Sequence, residues 1–173
     1  MNKILLASTS PTRKKILVNT GIKFIYKPPL INEEEEKKKL IKIKDCIKTF
    51  EGDGIPVTRA FPVPGMREYD PFLLFDHFGP IHYEPAGATG VPAHPHCGFE
   101  AITYLLGGEV EHKDSWGGQA NIKTGDLQWM TTGSGLIHSE LVTDQFKKSG
   151  GMMQGLQIWV NLPQKYKNVK PGY

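Results

Sequence analysis

A chain of 173 residues with 39% hydrophobic residues is long enough to bury one sizeable core, with room for an appendage. Two cysteines, Cys46 and Cys97, exclude a disulfide framework, and no segment approaches the apolar length of a membrane span. The opening run Ile4–Ala7 is too short for a signal peptide, so a soluble cytoplasmic protein is expected.

The net charge of +3 hides an asymmetry. Residues 1–50 hold 12 Lys/Arg against 5 Asp/Glu, and residues 51–173 hold 9 against 13. In the basic part, Glu33, Glu34 and Glu35 face Lys37, Lys38 and Lys39 at i,i+4, the pattern of a solvated helix. No aromatics interleave to stack bases, so direct nucleic-acid binding is not expected.

In chain order, residues 3–7 read as a short buried strand. Ser10 is a candidate helix N-cap with Pro11 at the first helical position, and Gly21 is a stop. Residues 22–26 read as a second strand. From residue 55 the character changes. Strand-like runs recur at 56–60, 72–75, 101–106, 109–112, 121–123, 127–130, 136–142 and 156–160. Gly107-Gly108, Gly117-Gly118 and Thr124-Gly125-Asp126 supply turns between several of them. Many short strands at this spacing predict a mainly β sandwich or barrel behind a short α/β appendage. Phe99, Tyr104, Trp129 and Trp159 are expected in its core.

Two pairs of side chains carry the chemistry: His94 and His96 in Ala93-His94-Pro95-His96-Cys97-Gly98-Phe99-Glu100, and His138 and Glu140 in Gly135-Leu136-Ile137-His138-Ser139-Glu140. On a strand, residues i and i+2 point to one face, so each pair can aim two ligand groups at one spot. Three imidazoles and a carboxylate suit iron, manganese, nickel, copper or zinc rather than calcium. Glu100 competes with Glu140 for the carboxylate position, because 94, 96 and 100 share parity. Cys97 faces the other way and is not counted as a ligand. His112 is a candidate for a supporting role in the pocket, and His77 and His82 are expected in loops or at the surface.

The spacing of His94, His96, Glu100 and Gly107 fits the first signature of the cupin barrels. The second signature is looser: Gly125 opens it, its proline is absent, and His138 falls two places late. Asp70-Pro71-Phe72-Leu73-Leu74-Phe75-Asp76-His77-Phe78-Gly79-Pro80, the run 125–140 and Gln157-Ile158-Trp159-Val160-Asn161-Leu162-Pro163 resemble the pirin branch of that superfamily. The resemblance covers residues 51–173 and implies a single cupin barrel, a double-stranded β-helix, with the second barrel of the full pirin fold missing. It further implies one divalent transition metal, iron foremost, held by His94, His96, His138 and Glu140. Position 97 departs from the family, which usually has arginine there.

Residues 1–45 resemble something else. Leu5-Leu6-Ala7-Ser8-Thr9-Ser10-Pro11-Thr12-Arg13-Lys14-Lys15, followed by Gly21-Ile22-Lys23-Phe24, is similar to the opening of the Maf nucleotide pyrophosphatases. That likeness implies phosphate contacts from Ser8, Ser10 and Arg13 at a helix N-terminus. The later acidic residues of those enzymes have no counterpart here, so a fragment without hydrolase activity is expected.

Some pirins are described as quercetin 2,3-dioxygenases. The resemblance therefore implies a flavonol as substrate, with Glu140 as the base that takes its 3-hydroxyl proton. The alternatives are a metal-dependent module that binds a protein partner and an incomplete fragment without activity. An open cavity over the histidines favours the enzyme, and a plugged one the module.

Overall fold

The computed structural model describes residues 4–7, 24–27, 45–52, 54–66 and 69–173. The chain divides into two compact units, 1–43 and 44–173. In the first, strands β1 (Ile4–Ala7) and β2 (Phe24–Lys27) pair in parallel, Ile4 opposite Phe24. Parallel neighbours require a crossover segment. The expected helices and the residues Ser8, Ser10 and Arg13 lie outside the described residues.

Among the described residues the second unit has ten strands in two antiparallel sheets. These are β3 (Ile47–Glu51), β4 (Ile55–Phe61), β5 (Phe72–Tyr83), β6 (Gly90–His96), β7 (Phe99–Gly107), β8 (Glu109–Asp114), β9 (Gln119–Lys123), β10 (Leu127–Thr131), β11 (Leu136–Val142) and β12 (Gly151–Asn161). One sheet runs β10-β7-β12-β5-β4-β3 and the other β6-β11-β8-β9. The fold is mainly β and cupin-like, as the sequence predicts, but the two sheets face each other without hydrogen-bonding into a closed barrel.

Alternation decides what each strand buries. Val110 and His112 of β8, Gln128 and Met130 of β10, and Leu136, His138 and Val142 of β11 are all buried, with exposed or half-buried residues between them. Leu105, Val110, Ile122, Val142 and Met153 join the two sheets in one apolar cluster. Phe146 completes it from a short helix, α1 (Asp144–Ser149), which the sequence reading did not include. The Thr143 hydroxyl caps that helix by accepting from the Phe146 amide at 3.1 Å.

Several expectations change. Strand β5 runs through Asp76 and His77 to Tyr83, so His77 and His82 sit on a strand rather than in loops. His77 is half-buried beside the Gln154 side-chain amide at 3.0 Å, while His82 is at the surface. Asp76 is buried because Arg59 donates to both its carboxylate oxygens, at 2.8 and 2.7 Å. Trp129 is not in the core. It is 52% exposed, on the outer face.

Candidate metal centre

Strand β6 is an edge strand, which is where two prolines can be tolerated: Pro92 and Pro95 flank His94. Across the ladder His94 stands opposite His138 of β11, and His138 stands opposite Asp114 of β8. The register thereby brings the sequence-separated pairs together. Ligating nitrogens of His94, His96 and His138 all lie within 4.8 Å of one another. The ring of His138 is 4.4 Å from that of His94 and 4.9 Å from that of His96, centroid to centroid.

Hydrogen bonds orient the rings. His94 Nδ1 lies 2.8 Å from the Pro92 carbonyl, which can only accept, so this nitrogen carries a hydrogen and, in the neutral ring, Nε2 is the bare one. That Nε2 faces His96 Nε2 at 2.9 Å. His138 is 2% exposed, and its Nε2 is buried with no hydrogen-bond partner. A buried polar atom without a partner is costly. Here it sits beside two other imidazoles, as a ligand nitrogen would. Burial, aided by repulsion from His94, holds His96 down to about 4, and burial with the neighbouring histidines holds His138 down to about 3. Both rings are therefore neutral near pH 7 and free to donate lone pairs. The donor set fits a divalent transition metal.

Glu140 lines the same cavity as His94 and His96, but it stands outside the tight imidazole group. The Thr103 hydroxyl donates to its Oε1 at 2.9 Å and also lies 2.8 Å from the Gln157 amide oxygen. Burial raises the Glu140 carboxyl above its ordinary range, with the Thr103 bond and the nearby histidines opposing the rise. Glu100 is placed elsewhere. Strand β6 ends at His96 and β7 begins at Phe99, with Gly98 at φ +78° between them. This break resets the parity, so Thr103 and Leu105 line the cavity while Glu100 accepts from the Trp129 indole and the Thr131 hydroxyl, both at 2.9 Å. The shared even numbering of 94, 96 and 100 therefore carries no weight. Cys97 is an exposed free thiol outside the histidine group.

Sequence reasoning did not single out the surroundings of the cluster. Trp159 meets His96 edge-on at 5.1 Å and stacks on Phe99 at 4.6 Å. The cavity walls above His94 and His96 are apolar, including Val57, Leu74, Phe78, Leu105 and Val142. His112, given only a minor weight by the sequence, is 1% exposed and touches His138. Among the described residues no helix is long and apolar enough to cross a membrane.

Two facing antiparallel sheets, with histidines from an edge strand and its neighbour meeting between them, define a cupin fold with a cluster able to hold a metal. The comparisons narrow the class: the family described as Pirin matches residues 54–160, and the chain belongs to that family. A pirin-like protein of Solanum lycopersicum is 44% identical over 123 residues, covering 71% of this chain and 39% of the relative. Pirin of Homo sapiens is 42% identical over 124 residues, covering 71% and 39%. Among solved structures, a quercetin 2,3-dioxygenase from Acinetobacter baumannii matches with a TM-score of 0.68 at 42% identity, covering 75% of this chain and 46% of that one. The bacterial pirin YhhW from Escherichia coli, solved in complex with nickel(II), matches with a TM-score of 0.58 at 25% identity, covering 72% and 52%. The chain thus spans less than half the length of the curated relatives it matches.

Proposed function

We propose that this chain holds one divalent transition metal on His94, His96, His138 and Glu140, iron foremost. On it, the chain would open an electron-rich aromatic ring with O₂, a flavonol being the first substrate to test. The observation that supports this reading is the cavity over His94 and His96, walled largely by apolar side chains, with Glu140 beside the histidines and Glu51 and Asp76 also on its lining. Such a cavity suits a flat aromatic ligand. The solved quercetin 2,3-dioxygenase of A. baumannii supports the same substrate class.

When bound, the metal would supply Lewis acidity to a substrate oxygen and a route for electrons to O₂. The chain's own residues do the rest. His96 and His138 stay neutral near pH 7, and the three rings direct their lone pairs inward. The apolar walls exclude water and hold the ring over the histidines. Glu140 takes the proton of the flavonol hydroxyl at a carboxylate oxygen. Thr103 holds that carboxylate in place through its 2.9 Å bond. O₂ is the oxidant; its two atoms are taken up as the ring opens and one carbon leaves as carbon monoxide.

The test is oxygen uptake with quercetin, metal-loaded against chelated protein. Equal rates, or turnover that survives His94→Ala/His96→Ala, would reject metal-centred catalysis. No turnover with metal fully bound would favour a binding module with a protein partner. For residues 1–45 the proposal remains a Maf-like fragment without hydrolase activity. Pyrophosphate release from nucleoside triphosphates that disappears with Arg13→Ala would sink it. A cytoplasmic location is likewise proposed.

A further inference from the structure

A second chain of polar groups lies behind the histidine cluster, on β8, β10 and the last residue. Asp114 Oδ1 accepts from the Trp116 and Gly118 amides, at 2.6 and 3.1 Å, and so is fixed in the β8–β9 turn. Its other oxygen, Oδ2, faces His112 Nε2 at 3.2 Å and accepts from the Tyr173 hydroxyl. Burial pushes the Asp114 carboxyl up, but bonds from Tyr173, His112 and the two amides outweigh it and leave Asp114 below its ordinary range. Asp114 is therefore an ionised acceptor.

That fixes the tautomer of His112. An ionised carboxylate only accepts, so His112 carries its hydrogen on Nε2, shared between Asp114 and the Tyr173 oxygen. In the neutral ring, His112 Nδ1 is then bare. Two groups converge on it: the Gln128 side-chain nitrogen at 3.0 Å and His138 Nδ1 at 3.3 Å. With no ion to bridge them, two bare nitrogens would repel at that separation; the Nε2 atoms of His94 and His96, 2.9 Å apart, are instead the pair that one ion would bridge. His138 must place its hydrogen on Nδ1, and its Nε2 is left bare, with no partner, against His94 and His96.

We propose that Asp114, His112 and Gln128 are positioning residues that lock His138 as its Nδ1–H tautomer and aim Nε2 at the metal. The inference rests on the metal-site reading above and extends it to residues that touch neither metal nor substrate. Partners behind a ligand histidine fix its tautomer and ring orientation, and losing one typically costs about 10- to 100-fold in metal affinity.

Asp114→Asn tests this sharply. The two backbone amides keep the asparagine carbonyl at the Oδ1 position, so its NH₂ replaces Oδ2 and faces His112. A donor there favours the reverse tautomer of His112, with hydrogen on Nδ1. His138 is then driven to carry its hydrogen on Nε2 and to lose its ligand lone pair. The experiment uses the full chain and has two readouts. Nitrogen-15 NMR of the imidazoles in metal-free protein reads the tautomers directly. Titration with Co(II), monitored by its visible absorption, reads affinity and ligand field.

In the unmodified chain His138 should carry its hydrogen on Nδ1 and His112 on Nε2. In Asp114→Asn both should reverse, and Co(II) affinity should fall about 10- to 100-fold with a changed spectrum. His112→Gln keeps an acceptor toward His138 and should bind Co(II) more tightly than His112→Phe, which has none. An Nε2–H tautomer of His138 in the unmodified chain would overturn the proposal. So would folded Asp114→Asn or His112→Phe protein with unaltered affinity and spectrum. Absence of Co(II) binding to the unmodified chain would instead overturn the metal-site reading, while the NMR tautomers would still decide the chain of hydrogen bonds.

Discussion

The two sheets face the same cavity with different equipment. The four-stranded sheet contributes His94, His96, His112, Asp114, His138 and Glu140 from three adjacent strands. The six-stranded sheet contributes apolar walls, such as Leu74, Leu105 and Met153, and the Arg59 guanidinium paired with buried Asp76 and with Glu51. Polar atoms on the first sheet find one another in a hydrogen-bonded cluster. On the second, all but a few inward positions are filled by packing. Chemistry and cohesion are thus assigned to opposite walls, and substitutions on the two should separate metal affinity from stability.

The largest effect falls on the four-stranded sheet. His138→Ala should lower affinity for Co(II) or Ni(II) by more than about 100-fold, beyond the range seen for groups behind a ligand. Glu100→Gln, on the outer face of the other sheet, should leave metal affinity unaltered in the same titration. Loss of metal with the Glu100 change and not with Glu140→Gln would break the assignment of the carboxylate. Leu105→Ala should do the reverse of His138→Ala. Leu105 is fully buried, and its truncation should cost about 2–5 kcal/mol in urea unfolding while the folded fraction binds metal normally.

Arg59→Met should lower stability by about 3 kcal/mol, because it leaves the buried Asp76 carboxylate without its counter-charge. Equal stability of the variant would mean that water replaces the guanidinium.

Acid should act on the histidine wall. In the metal-free chain His96 titrates at about 4 and His138 at about 3, both below the ordinary 6.5. Between those values and 6.5 the unfolded chain binds more protons, so stability is fully present above 6.5 and falls as pH drops toward 4 and 3. Thermal unfolding of metal-free protein across this window should show the decline, and His96→Asn should flatten its upper part. Deleting residues 1–43 should have the smallest effect and leave Co(II) affinity unchanged, since every proposed ligand lies in the second unit.

The common face of His94 and His96 was legible because i,i+2 spacing survives any register, whereas their meeting with His138 depends on the β6–β11 register. The mainly β class was legible from turn chemistry. Strand β6 was absent from the predicted runs because Pro92 and Pro95 break the usual pattern, and only its place at the sheet edge permits them. Strand β5 was cut short at Phe75 because Asp76, His77 and Gly79-Pro80 read as a loop. The partner that buries Asp76 is Arg59, 17 residues away, and no local pattern announces it. Glu100 and Glu140 could not be separated by parity, since that depends on a chain reversal at Gly98. For His112 the sequence offered only a candidate supporting role in the pocket. Its meaning comes from cross-strand neighbours, Glu140 on β11 and the Asp114–His138 pair beside it.

Strand β11 lies between β6 and β8 and is hydrogen-bonded to both. It therefore has no free edge from which to fray. An opening that begins at the outer strands β6 or β9 must strip one neighbour before it releases His138 and Glu140. In amide hydrogen exchange, β11 should belong with the slowest protons of its sheet, and His138 and Glu140 should stay in place through partial openings that detach His94 and His96. Under the proposed ligand set, a chain in that state would keep one imidazole and one carboxylate in place and would recapture an ion when the edge strand closes again.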